Sequence, residues 1–285
     1  TRTMARHRTP PQRKTPEPMR SIVEPGSKGE HIGRLLLAAF VVIALPALPF
    51  GTYLIYPFAI LTTWFHEMGH GVSALLMGQD FLQLMIFADG SGLAEYAVAG
   101  DLSPFSRAFI SAGGPLAPSM IGASLILPSA HPKLWRPALW ALAAAIFASV
   151  IVYVRSPVGY SVLPIVAAFL CVIAWKAPGG ITRFTLQFLG VIAAMSMLRD
   201  FNYLFTESAF IGGQQMLSDT GQMEASLLLP HWVWAAVILA ISAVMITASL
   251  QYALSDKRRL GVRGGPGSRR KPPANVLQFR RGPED

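Results

Sequence analysis

The chain has 285 residues, of which 52% are hydrophobic and 14% charged, and its mean hydropathy is +0.44. A soluble domain usually has about 25% charged residues, so this composition excludes an ordinary soluble protein and indicates a membrane protein. Of the 24 Lys and Arg residues, 8 lie in residues 1–34 and 9 in residues 255–285. The net charge of +9 therefore belongs mainly to the two ends, which beside so apolar a body favour membrane lipids over nucleic acid as partners.

The composition divides the chain into three regions. Residues 1–32 and 255–285 are basic and rich in Pro or Gly, which predicts disordered tails. No apolar core of the required kind lies in the first 30 residues, so we expect no cleavable signal peptide. Residues 33–254 form one transmembrane domain, in which the single cysteine, Cys171, is expected to be a small buried apolar residue.

Seven apolar segments follow one another in the transmembrane domain, each near the roughly 20 residues that cross a bilayer. Backbone groups in lipid must bond within their own segment, so helices are expected. The predicted fold is an all-α, multi-pass transmembrane helical bundle with six or seven spans. Both basic ends favour the cytoplasmic side, which requires an even number of crossings, so one segment is short or re-entrant or one end breaks the rule. The segments cover approximately residues 33–55, 57–77, 105–127, 134–154, 157–176, 181–204 and 231–253.

Residues 79–104 differ from these segments because they contain several acidic residues and glycines and cannot span the bilayer. The apolar pattern in residues 82–87 favours a strand, and Asp-Gly-Ser-Gly at residues 89–92 favours a turn. We therefore predict a small β-hairpin at the membrane edge, at about residues 82–98.

The second segment contains the sequence His66-Glu67-Met68-Gly69-His70. Residues four apart lie on one face of a helix, so His66 and His70 can both reach one zinc ion. Glu67 can then act as a general base on a water molecule in the open coordination position. A chance occurrence is the alternative, but an ionisable cluster within a membrane helix is costly and by default indicates function.

A catalytic zinc site needs a third protein ligand. The best candidates are Asp200, at the end of the sixth segment, and Asp219, in Ser-Asp-Thr-Gly after a Gly-rich loop. Their structural alternatives are an ion pair of Asp200 with Arg199 and a helix N-cap formed by Asp219. The weaker candidates are Glu95, Glu207, Glu224, His7, His31, His131, His231 and Cys171.

Three motifs resemble the site-2 protease family of intramembrane zinc metalloproteases, in its bacterial peptidase-like branch. They are FHEMGHG at residues 65–71, SAGGPLAP at residues 111–118 and SDTGQM at residues 218–223. The first is specific. The second fits the family's Gly-Pro element, and the third resembles its Leu-Asp-Gly element with Thr220 inserted. The resemblance covers about residues 55–255.

The resemblance implies a Zn²⁺ cofactor held by His66, His70 and Asp219, with Glu67 as the catalytic residue. It implies hydrolysis of peptide bonds in or near the transmembrane segments of other membrane proteins. The implied location is the bacterial inner membrane. The chain has no inserted PDZ-like domain, so substrates would be selected by the membrane body itself.

Two alternatives remain open from the sequence. The first is a non-catalytic relative that acts as an accessory subunit of a membrane complex, with a membrane-protein partner. The second is a transporter that uses Glu67, Asp200 and Asp219 as proton or cation sites, although it would not need two histidines four residues apart.

Overall fold

The computed structural model of the protein describes residues 28–98 and 100–254. The two predicted tails fall outside these residues, apart from residues 28–32, which are helical. The helices of the described part are α1 (Lys28–Ala44), α2 (Gly51–Leu76), α3 (Pro104–Ser129), α4 (Trp135–Val152), α5 (Pro157–Lys176), α6 (Gly179–Arg199), α7 (Phe201–Leu204), α8 (Asp219–Ser226) and α9 (His231–Leu254).

The described residues form the all-α, multi-pass helical bundle expected from the sequence, and each predicted apolar segment contains a helix. Within those residues, five helices are long and apolar enough to cross a membrane, namely α3, α4, α5, α6 and α9. The apolar part of α1 is shorter, at residues 32–44. Helix α2 has 26 residues, about 39 Å at 1.5 Å per residue, and is long enough to cross a membrane. It is less apolar than the five helices named above. Its threonines, histidines, glycines and glutamate lower its apolar character.

Two β-hairpins interrupt the bundle. Strands β1 (Asp80–Ile86) and β2 (Gly92–Ala97) pair antiparallel, so the hairpin expected after the second segment is present. Strands β3 (Ser208–Ile211) and β4 (Gln214–Leu217) form a second antiparallel hairpin that the sequence analysis did not predict. Its two-residue turn is Gly212-Gly213, with φ values of 57° and 82°. Positive φ at both turn positions suits glycine, and Gly-Gly is one of the dipeptides typical of such turns.

The larger hydrophobic core joins strand β1 to helices α2, α4, α5 and α6. Phe65, Leu84, Leu139, Leu163 and Leu186 contribute one fully buried side chain from each of these elements. Strand β1 is fixed further because the Leu84 N–H donates to the Tyr153 carbonyl at 2.9 Å, and the Arg155 N–H donates to the Leu84 carbonyl at 2.9 Å. One edge of the first hairpin is therefore attached to the bundle.

A second core holds α8 against the bundle. It includes Ala108 of α3, Met197 of α6, Leu204 of α7, Met223 of α8 and Ile238 of α9. Large apolar side chains cover the outer surface, which suits contact with lipid rather than water. Examples are Phe40, Ile151, Ile165, Phe169, Trp175 and Val244.

Helices α2 and α3 approach closely at a glycine contact. A Cβ atom at Gly113 would lie 2.7 Å from the carbonyl oxygen of Gly69, and one at Gly69 would lie 2.5 Å from the Cβ of Ala117. Neither separation is compatible with a real side chain, so the absence of a Cβ permits this packing. The small residues after His66 and in the third segment therefore set the distance between the two helices.

We expect Gly113→Ala to lower the free energy of unfolding by about 1–3 kcal/mol, because the added methyl group overpacks the α2–α3 contact. Thermal unfolding in detergent measures the change. Gly33→Ala in α1 is the matched control, because a Cβ at Gly33 would meet nothing within 4 Å. Equal stability changes in the two variants would contradict this account of the contact.

Candidate metal centre

Helix α2 places His66 and His70 one turn apart with their imidazoles facing the same point. The two Nε2 atoms are 3.1 Å apart, and the ring planes meet at 71°. This is the geometry expected from the His-Glu-X-X-His spacing on a helix. Both side chains are largely enclosed by the bundle, with 15% and 13% of their surfaces exposed.

Asp219 completes the group from helix α8. One carboxylate oxygen, Oδ2, lies 3.0 Å from Nε2 of His66, and the other, Oδ1, lies 3.2 Å from Nε2 of His70. The helix is capped by Ser218, whose hydroxyl accepts the Gly221 N–H at 3.0 Å. Ser218 therefore fills the N-cap position that was the structural alternative for Asp219, and the Asp219 carboxylate faces the two histidines.

The donor set and its spacing fit a metal ion. Ligand atoms about 2.0–2.1 Å from a tetrahedral zinc are about 3.3 Å apart. The separations among His66, His70 and Asp219 are 3.0–3.2 Å. The Oδ2 atom of Asp219 is buried with no partner other than the facing Nε2 of His66, so a cation bound between them would satisfy both groups. Two imidazoles and one carboxylate leave a fourth position open, as in catalytic zinc sites.

The surroundings of His70 fix its tautomer. Its Nδ1 atom is 2.8 Å from the Ile110 carbonyl oxygen, which can only accept, so Nδ1 must donate. In a neutral ring, Nε2 then carries a free lone pair toward His66 and Asp219. Gly114 of α3 lies directly against this ring, and a Cβ there would overlap it. The Gly-Pro element of α3 therefore makes room for the imidazole.

Glu67 is buried, with 6% of its surface exposed, and it lines the same space as the histidines. Strand β2 lies against it, since a Cβ at Gly92 would be 2.6 Å from its Cγ and its Oε1. Ala94 of the same strand lines the smaller cavity together with Glu67. The first hairpin therefore packs onto the carboxylate that the sequence predicts to be a general base.

Two cavities beside the group also border Glu67. A cavity of about 340 Å³ lies beside His66 and Glu67, and one of about 60 Å³ touches His66, Glu67, His70 and Asp219. Both hairpins border the larger cavity, and their tips meet where the Gly212 N–H approaches the Ser91 hydroxyl at 3.5 Å. The residues lining the larger cavity are Tyr56, Ala59, Thr63, His66, Glu67, Asp89, Gly90, Ser91, Gly92, Arg199, Asp200, Tyr203, Ala209, Phe210 and Ile211.

Asp89 brings negative charge to the larger cavity. The Ser91 hydroxyl and backbone N–H both donate to its Oδ1 atom, at 2.7 and 2.9 Å, and hold the pKa of Asp89 below its ordinary value. Asp89 therefore stays ionised at neutral pH. Together with Arg199 and Asp200 it gives this cavity a polar, charged side, unlike the apolar outer surface of the bundle.

The other candidate ligands lie outside the group. Asp200 forms the ion pair with Arg199 that the sequence analysis gave as the alternative to metal binding, with Arg199 Nε and Asp200 Oδ1 3.3 Å apart. Glu224 pairs with His231 at 2.6 Å, and Glu95 accepts from Gln83 at 2.6 Å. His131 contacts the ring of Tyr252, and Cys171 is half-buried in α5. His7 and the side chain of His31 lie outside the described part of the chain. Among the described residues, His66, His70 and Asp219 are the group able to hold a metal ion.

Tyr203 is a residue of the site that the sequence analysis missed. It lines both cavities, its hydroxyl accepts the Asp219 N–H at 3.2 Å, and its ring meets that of His66 edge-on at 6.3 Å. Gln222 was missed as well, and its side-chain oxygen accepts from Ser111 at 3.2 Å. No local pattern marks Tyr203, because its importance depends on the folding of α7 against α8.

The described residues therefore form a multi-pass membrane-type helical bundle in which two histidines and an aspartate that could hold a metal ion lie beside a buried glutamate. A sequence model of the Peptidase M50B-like family matches residues 34–249, most of the chain, so the protein belongs to this family. The resemblance to the site-2 protease family is thereby confirmed. Membership supports an integral membrane protein with an intramembrane protease kind of function. No curated protein and no solved structure matches the chain.

We expect purified wild-type protein and Asp200→Ala to hold similar amounts of zinc, and His66→Ala and Asp219→Ala to hold at least about tenfold less. The reason is that only the latter two lose an atom of the donor group. Elemental analysis of protein purified in detergent measures the zinc. Loss of zinc in Asp200→Ala with retention in Asp219→Ala would contradict the assignment of the third ligand.

Proposed function

We propose that the protein is an intramembrane zinc metalloprotease that hydrolyses peptide bonds in or near transmembrane segments of other membrane proteins, in the inner membrane of a bacterium. The observation that supports this most directly is the approach of His66, His70 and Asp219 to one another beside the buried Glu67. An accessory subunit would have no evident use for a glutamate held next to such a donor group.

In this proposal, His66 and His70 supply nitrogen ligands and Asp219 supplies a carboxylate oxygen. A zinc ion held there would act as a Lewis acid on the scissile carbonyl and lower the pKa of a water molecule toward about 7. Glu67 takes the proton from the attacking water and passes it to the leaving amine.

The substrate segment must be extended rather than helical, because a helix hides its carbonyl groups in its own hydrogen bonds. Strand β2 offers an edge to which an extended peptide can pair. The opposite edge of the hairpin is already occupied, since the backbone of Leu84 bonds to Tyr153 and Arg155. The free edge of the sheet is therefore the one that faces Glu67.

Antiparallel register identifies the groups on that edge. Leu84 lies opposite Ala94, and the backbone of Leu84 points away from β2. By the alternation of antiparallel ladders, the N–H groups of Gly92, Ala94 and Tyr96 point away from β1. They face the space that contains Glu67 and the smaller cavity, where a bound peptide would lie across the proposed metal site.

The site would sit within the lipid bilayer's depth or at its edge, so substrates would reach it from the membrane. The apolar outer surface suits lipid, and the polar larger cavity supplies the water that hydrolysis consumes. Selection of substrates would then depend on how readily a membrane helix unwinds next to the two hairpins.

We expect Glu67→Gln to reduce cleavage by about 10²–10⁴-fold while zinc content stays at the wild-type level, because the amide cannot accept the proton. The assay uses a tagged single-span membrane protein with Gly and Pro in its transmembrane helix, reconstituted with the protease in liposomes. Cleavage by Glu67→Gln at the wild-type rate would exclude Glu67 as the general base, whereas absence of cleavage by the wild type would favour the accessory-subunit alternative.

We expect Tyr96→Pro to reduce cleavage at least about tenfold more than Tyr96→Ala, because both lose the side chain but only proline removes the outward N–H. Zinc content should be equal in the two variants. The same liposome assay measures both rates, and equal rates would exclude peptide pairing at this edge of β2.

A further inference from the structure

The turn that carries Asp219 is held by the segment that joins α6 to the second hairpin. The Ser218 N–H donates to the Glu207 carbonyl at 2.9 Å, and the Ser218 hydroxyl donates to the Thr206 carbonyl at 2.5 Å. The Thr220 hydroxyl donates to the Leu204 carbonyl at 2.7 Å, and Thr220 is fully buried. Thr220, which separates Asp219 from Gly221 in the sequence motif, therefore has a structural role.

Tyr203 supplies the contact to Asp219 itself. Its hydroxyl accepts the backbone N–H of Asp219 at 3.2 Å. That N–H belongs to the first turn of α8 and has no partner within the helix. A hydroxyl that accepts one hydrogen bond still has its own proton to donate.

The ring of Tyr203 touches the other side of the same group, because it meets the His66 ring edge-on at 6.3 Å between centroids. One side chain thus contacts a residue of α2 and a residue of α8, which are far apart in the sequence. Groups that orient metal ligands in this way typically change metal affinity by about 10–100-fold when they are removed.

We propose that Tyr203 is a positioning residue that holds Asp219 in place as the third metal ligand. This inference rests on the proposed function, in which His66, His70 and Asp219 bind zinc. Tyr203 acts through Asp219 and not on the substrate. Its hydroxyl, rather than its ring, carries this role, because the hydroxyl accepts the hydrogen bond from the Asp219 backbone N–H.

The test compares wild type with Tyr203→Phe, which keeps the ring against His66 and removes the hydroxyl. Zinc affinity is measured by competition with a chelator, and the Co²⁺-substituted protein is examined by absorption spectroscopy. We expect zinc affinity to fall about 10–100-fold and the cobalt absorption bands to shift. Turnover at saturating zinc should fall much less than zinc affinity.

A double-mutant cycle separates action through Asp219 from a general effect. In the Asp219→Ala background, Tyr203→Phe should change zinc affinity little further, because the ligand that it positions is already gone. Tyr160→Phe is the matched control. Tyr160 lies in α5, and its hydroxyl accepts a hydrogen bond from the Arg155 guanidinium at 3.3 Å. Removing this hydroxyl should leave the zinc affinity and the cobalt spectrum unchanged.

Three outcomes overturn the inference. The first is a Tyr203→Phe variant with unchanged zinc affinity and an unchanged cobalt spectrum. The second is a loss of zinc affinity in the double mutant equal to the sum of the two single losses. The third is normal zinc affinity with lost turnover in Tyr203→Phe, which would show that Tyr203 acts on the substrate. If wild-type protein binds no zinc, the proposed function fails first. Wild-type zinc binding that Tyr203→Phe leaves unaltered defeats only the role of Tyr203.

Discussion

The structure depends on bringing one carboxylate, that of Asp219, to two imidazoles inside an apolar bundle. A lone carboxylate there would be costly to bury, and so would two imidazoles without partners. At separations of 3.0–3.2 Å, the carboxylate and the two imidazoles can form ion pairs or hydrogen bonds with one another, or can bind one metal ion together. Because His66 and His70 belong to α2 and Asp219 to α8, this contact also fixes where the last part of the fold must lie.

Much of the remaining structure keeps that contact in place. Gly69, Gly113 and Gly114 bring α3 close enough for the Ile110 carbonyl to orient His70. The second hydrophobic core holds α8, and residues 203–207 hold the turn before it. The two hairpins border the adjoining cavity. Irregular backbone is tolerated at membrane depth where protein or a polar cavity covers it, and this site supplies both.

The sequence predicts whatever depends on local periodicity. The seven apolar segments, the first hairpin and the shared helical face of His66 and His70 all follow from spacing alone. The choice between Asp200 and Asp219 does not, because spacing does not show that Asp219, in the stretch between the last two segments, folds back onto α2. Ser218 could have been recognised as the N-cap, and Gly212-Gly213 as a hairpin turn, from residue type. Tyr203 could not, since nothing in its neighbourhood along the chain distinguishes it from any other aromatic residue.

The polar character of α2 has a consequence for how the protein is made. A helix that falls short of the hydropathy of its neighbours is a poor candidate to enter the bilayer alone during synthesis. Helix α3 is apolar, follows it after the first hairpin and packs on its glycine face. We therefore expect insertion of the pair as one unit, with the later helix drawing the earlier one into lipid. The residues that make α2 chemically useful would then also oblige the translocation machinery to handle two helices at once.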